Sequence, residues 1–168
     1  MQKGRKFSAL VDYFRTIATE HIAIRHSNEE KHFFRLELDE VITGLPESAC
    51  YPLLVMEGYS FTLTDQKSDN ISKKRSSGFL LASHVSDRDD YEKIHQTWDD
   101  LEEIGDDILA RIRADKQLPD NPVRSFDISS VEARLISSEL GNLYGIRYTF
   151  DIDSFFPEAV DTDKWISS

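Results

Sequence analysis

Residues 86–116 read SDRDDYEKIHQTWDDLEEIGDDILARIRADK, and the spacing within this stretch decides the fold. Tyr91, Ile94, Trp98, Leu101, Ile104, Ile108 and Ile112 recur at steps of three and four. That period gathers them on one face of a helix. The opposite face carries Glu92, Asp99, Asp100, Glu102, Glu103, Asp106 and Asp107. Ser86 or Asp87 can cap the first turn, because a short side-chain oxygen accepts an otherwise orphaned backbone N–H. Arg111, Arg113 and Lys116 lie near the other end, where the helix dipole favours cations. Gly105 weakens the middle and permits a kink. A helix with one apolar stripe needs a surface to lie on, and the flanking sequence supplies it.

Upstream, Arg5 to Ile24 reads as a first amphipathic helix. Phe7, Leu10, Val11, Phe14, Ile17, Ala18 and Ile22 form its stripe, opposite Asp12, Arg15, Thr19 and Glu20. Residues 1–4 are a polar, loose tip. From His32 to Val41, Phe34, Leu36 and Leu38 alternate with Arg35, Glu37 and Asp39, the pattern of a half-buried strand. Gly44 and Pro46 close that strand. A second strand runs from Tyr51 to Thr64. Its segment Leu53–Met56 is apolar on both sides, which suits a central strand. Gly58 inside it marks a bulge or a close backbone approach. Asp65–Ser77, DQKSDNISKKRSS, is a polar loop and reads as the mobile, basic tip of a long hairpin that returns at Gly78–Val85.

Beyond the acidic helix, Leu118–Pro122 is turn-rich. Phe126–Leu140 reads as a strand, although VEARLISSEL within it could also form a short helix; Gly141-Asn142 reads as a turn, and Leu143–Ile152 as the last strand. In the last strand Ile146, Tyr148, Phe150 and Ile152 alternate with Arg147, Thr149 and Asp151. Residues 155–168 form an acidic tail in which Trp165 and Ile166 are an apolar pair that needs a docking surface. The expected fold is a single α+β domain over 1–168. Two amphipathic helices pack on one mostly antiparallel sheet, in the order α-β-β-β-α-β-β.

Composition narrows the functional classes. Apolar residues make up 39% of 168 and charged residues 30%, a balance that supports a packed core. The net charge of −11 argues against general binding to nucleic acid or anionic membrane, because phosphate is held by lysine and arginine. No apolar run approaches the length of a membrane span, and no secretory leader pattern opens the sequence, so folding in a cytosol is expected. Cys50 is the one cysteine and reads as a reduced, buried thiol.

Catalytic and metal signatures are not found. His21, His26, His32, His84 and His95 show no HxxxH or HExxH spacing. GxSxG, P-loop and GxGxxG patterns do not occur. The carboxylates Asp99, Glu102, Glu103, Asp106 and Asp107 could in principle hold a divalent cation, but they fill one helix face with no ligating loop beside it. The expectation is therefore a non-enzyme with no catalytic residue, no metal and no cofactor. The interface candidates are Lys67, Lys73, Lys74 and Arg75 on the hairpin, facing Asp99, Glu103 and Asp106 on a neighbouring subunit's helix, with Trp165 as an apolar contributor. The alternative is a monomeric acidic adaptor or inhibitor whose helix captures a basic protein.

The element order over most of residues 5–152 resembles the tail-terminator and tail-completion proteins of tailed bacteriophages, and related caps of contractile particles. The long second helix followed by GNLYGIRYTFDI, residues 141–152, is similar to the closing part of such proteins. The resemblance implies a small α+β subunit that forms homo-oligomeric rings, often hexameric, at the end of a tail tube. It implies other tail or neck proteins as partners, no direct nucleic-acid readout and no membrane. The protein would reside in a virion or tail-like particle assembled in bacterial cytoplasm, and otherwise in the cytoplasm.

Overall fold

The structure is a computed structural model that describes residues 6–65, 67, 71–138, 141–156 and 160–166. The elements run α1 (Phe7–Glu20), β1 (Lys31–Arg35), α2 (Leu38–Thr43), β2 (Ala49–Met56), β3 (Ser60–Asp65), β4 (Ile71–His84), α3 (Tyr91–Asp115), β5 (Phe126–Ser138) and β6 (Leu143–Phe155), then a 3-10 turn at Thr162–Lys164. The six strands form one sheet in the order β1-β2-β4-β6-β5, with β3 also on β4. Among the described residues only the β1–β2 pair is parallel. The α+β class and the order of the long elements are as expected. The loose N-terminal tip and Glu139–Leu140, assigned to a strand, lie outside the described residues.

The long hairpin strand expected at Tyr51–Thr64 is one line broken by a bulge. Met56 sits opposite Phe79 on β4, and Ser60 opposite Ser76. Three residues, Glu57, Gly58 and Tyr59, therefore face two, Ser77 and Gly78. That is the count of a β-bulge, at the glycine the sequence marked. The backbone N–H of Gly58 donates to the Glu37 carboxylate at 3.2 Å, which pins the bulge to the chain between β1 and α2.

Strand alternation splits the core into two clusters. Phe79, Leu81, Ile146, Tyr148, Phe150 and Ile152 face α1 and α3. Phe14 of α1 is fully buried against Phe79 at 5.5 Å and Phe150 at 6.0 Å between ring centroids. From α3 come Leu101, Ile104, Ile108 and Ile112. Burying each such side chain stabilises the fold by about 1.5–3 kcal/mol. On the other face Leu53, Val55, Leu80, Ala82 and Leu143 pack with Val41 of α2. β2 is thus covered on both faces, as its apolar run required.

Several local expectations are corrected. The strand expected through Val41 stops at Arg35, and Leu38–Thr43 is helical. Glu37 and Glu40 form a reciprocal capping box there, which satisfies two orphan N–H groups and outcompetes the extended form. α1 ends at Glu20, and Ile22 lies exposed in the following turn while Ile24 is buried. α3 is capped by Asp90, which accepts from the Lys93 N–H at 3.0 Å. Asp87, one of the expected caps, instead accepts from the Asp89 N–H in the approach to the helix. Tyr91 is consequently at the exposed helix start and outside the buried stripe. Cys50 is half-buried and not interior, because β2 meets the core only from Leu53 onward.

Candidate functional site

The KKR run illustrates how the sheet disposes charge. Lys73, Lys74 and Arg75 belong to β4 and are not part of a mobile loop. Their neighbours on β6, Ser154, Asp153 and Ile152, hold them in register. Successive side chains of a strand point to opposite faces, so the run is divided. Lys74 projects away from the helices and lies 3.6 Å from the Asp151 carboxylate. Lys73 and Arg75 face the helix side. The Lys73 ammonium sits 3.7 Å from the centroid of Phe61. Arg75 donates to Ser154 at 2.6 Å and lies over Tyr59. Lys67, exposed, stands in the turn beyond β3. Among the other residues of the expected basic tip, Gln66 and Ser68–Asn70 lie outside the described residues.

Among the described residues the helix layer ends at Lys6 and Phe7, and the β3–β4 hairpin continues past it. Two cross-strand rows on the helix side run out of the core there: Phe126 and Ile152, buried, continue into Arg75 and the exposed Phe61, and beyond them lie Leu63, Lys73 and Ser154. Phe61 is 51% exposed and Leu63 47%. A hollow of about 340 Å³ opens beside them, lined by Lys6 and Leu10 of α1, Tyr59, Arg75, Ile152 and Phe155, and by the 120–125 linker. The Nε–H of Arg75 is buried and has no hydrogen-bond partner among the described residues. Phe155 and Phe156 close this end of the sheet, both solvent-exposed.

The acidic set lies elsewhere. Asp99, Glu103 and Asp106 are all exposed on α3. Farther along the same helix Asp107 meets His21 at 3.3 Å, and Arg111 bridges Glu20 and Asp115. Within one chain the structure does not bring the acidic and basic sets together, since Lys73, Lys74 and Arg75 engage Phe61, Asp151 and Ser154 instead. Trp165 follows the 3-10 turn and is 71% exposed. Ile166 is fully exposed.

Sequence reasoning missed a polar cleft of about 800 Å³, lined mostly by polar residues of the sheet and the bulge, with Phe7 of α1 also in its lining. Its centre is Glu57, 5% exposed, with both carboxylate oxygens 3.1 Å from Arg147 Nε. Beside it Arg35 pairs with Glu37, and Ser76 donates to Asp151 at 2.6 Å. These charges are neutralised from within, so the cleft reads as a fastening for the bulge. Glu57 and Arg147 are far apart in the chain, and only the register of β4 with β6 joins them. Gly58 was the one local signal. Among the described residues no group of three or more His, Cys, Asp and Glu side chains is placed to hold a metal ion. No described helix is long and apolar enough to cross a membrane.

No family model matches the chain, and no curated protein matches it. The class the fold defines is an open-faced α+β sheet domain with an exposed apolar and cationic end.

Proposed function

We propose that the chain is a non-enzymatic structural subunit that self-associates into a ring, as a terminator, completion or connector protein of a phage tail or tail-like particle. One observation carries the reading. Half of the exposed large apolar side chains among the described residues lie at the hairpin end of the sheet, as Phe61, Leu63, Phe155 and Phe156, or on the segment after it, as Val160, Trp165 and Ile166. Clustered exposed apolar surface rimmed by charge marks a protein–protein contact. The element order similar to tail-terminator proteins gives that contact its context: identical neighbours, and other tail or neck proteins.

Light scattering on the purified chain, with imaging of particles from cells that produce it, tests the proposal. A closed oligomer and label at a particle end are expected. A protein that stays monomeric and never enters a particle overturns it.

A second reading has its own observation, the exposed carboxylates of α3. A monomeric adaptor or inhibitor would present them to a basic protein. The combined reversal Asp99→Lys, Glu103→Lys and Asp106→Lys then abolishes capture while the fold persists. Unchanged capture removes this reading.

A further inference from the structure

We infer that the hollow beside Arg75 is a socket for Trp165 and Ile166 of a second copy of the chain. This rests on the ring reading and names the contact within it. The hollow has an apolar floor in Leu10, Tyr59 and Ile152. Its lining carries three cations, Lys6, Arg75 and Arg124, against two carboxylates, Asp120 and Asp153. The segment that would enter has the opposite balance. It holds Asp161 and Asp163 against Lys164, and Lys164 is already paired with Asp161 at 2.8 Å. Tryptophan suits a site of this kind, since it brings a large apolar face and interacts favourably with cations above its ring. Lys73 already makes that contact with Phe61 at the edge of the hollow, and Arg75 makes it with Tyr59.

The segment does not fill its own socket. Phe155 lines the hollow and Trp165 follows ten residues later, a length of chain that spans at most about 35 Å. Own-chain docking is therefore within reach, yet Trp165 remains 71% exposed and Ile166 fully exposed. Side chains this apolar leave water when a neighbour offers the same hollow. A segment that reaches from one copy into the next is a head-to-tail contact, which closes into a ring when the rotation between copies allows. Phe61 and Leu63 of the adjoining strand β3 stand open beside the hollow.

Cysteine pairing between copies tests the socket. In a Cys50→Ser background, one copy carries Ile166→Cys and a second, size-tagged copy carries Arg124→Cys, at an exposed position on the rim. Mixed and oxidised, the two are expected to form a mixed disulfide-linked species. The link should form much faster than to a control copy with Ser137→Cys, exposed at the opposite end of β5. Trp165→Ala should weaken association about thirtyfold, the effect of losing an aromatic anchor at the centre of an interface. The inference is overturned if the mixed species forms no faster than with the control. It is also overturned if a copy carrying both cysteines closes only on itself. An oligomer whose mass is unchanged by Trp165→Ala, with no mixed species, refutes the socket and leaves the ring reading standing. A monomer that cross-links nowhere refutes both.

Discussion

Replacing Gly105 of α3 with alanine should destabilise the protein, against the usual sign for such a change. In an exposed helix interior alanine is favoured over glycine by about 1 kcal/mol. Here a Cβ would lie 2.0 Å from the Tyr148 hydroxyl oxygen and 2.4 Å from the ring carbon bearing it. The ring has no room to retreat, because it stacks on Phe79 at 4.6 Å with an interplanar angle of 11°. Ordinary contact near 3.5 Å therefore requires α3 and the sheet to part by about 1.5 Å. Overpacking of this kind costs up to about 3 kcal/mol. After the propensity gain, Gly105→Ala is expected to lose about 2 kcal/mol, or about 4–8 °C in Tm for a chain of this size. Tyr148→Phe should be neutral or slightly stabilising, because the buried hydroxyl has no partner among the described residues. Combined with Gly105→Ala it should rescue part of the loss, the ring itself still being in the way. Urea unfolding of the four proteins gives the coupling directly. A Gly105→Ala protein more stable than the parent by about 1 kcal/mol would refute the seating of α3 on Tyr148.

Further outcomes follow from the same contacts. Tyr148 is pushed up from 10.0 to about 12 by burial and then by Asp106 and Glu102. The folded state thus favours the neutral phenol, a contribution complete below about pH 10 and lost as pH rises through about 12; alkaline unfolding of Tyr148→Phe should lack that loss. His26 is lowered from 6.5 by burial, then by Arg15 and His32, and its Nδ1 accepts from the His32 N–H at 3.2 Å. Its neutral form is favoured in the fold, so its contribution is present above about pH 6.5 and lost as pH falls through the lower folded value; His26→Asn should flatten that stretch of a stability–pH curve. Arg147→Ala strands the buried Glu57 carboxylate and should cost about 3 kcal/mol in urea unfolding. Glu57→Ala should cost less, because the Arg147 side chain is 37% exposed and can reach water; equal costs would count against the buried pair. Glu37→Ala removes the α2 cap and the acceptor for Gly58, with an expected loss of about 2 kcal/mol and earlier proteolytic cutting near the bulge.

The sequence was most legible where local pattern and tertiary role coincide. Ile146, Tyr148, Phe150 and Ile152 alternate because one face of β6 meets the helices throughout. Gly58 marked the bulge because close approach to Glu37 and Arg35 leaves no room for a Cβ there. Legibility failed where a partner decides. The KKR run is polar enough for a loop, and it is strand because β6 offers Asp151 and Ser154 as partners. Phe34 and Leu36 do pack on the same sheet face, but the alternation does not continue to Leu38, which opens α2. The capping pair Glu37 and Glu40 was the overlooked cue for α2. At the candidate site the residues Lys73, Arg75 and Trp165 were nameable from sequence, whereas the hollow beside Arg75 was not. Its lining comes from α1, β4, β6 and the 120–125 linker, segments far apart in the chain.

The most direct test is the mass of the purified chain by light scattering over a range of concentrations, beside Trp165→Ala. The account predicts a discrete oligomer of the 19.4 kDa chain, shifted toward monomer by the substitution. A 19.4 kDa monomer at every concentration, for both proteins, would contradict it.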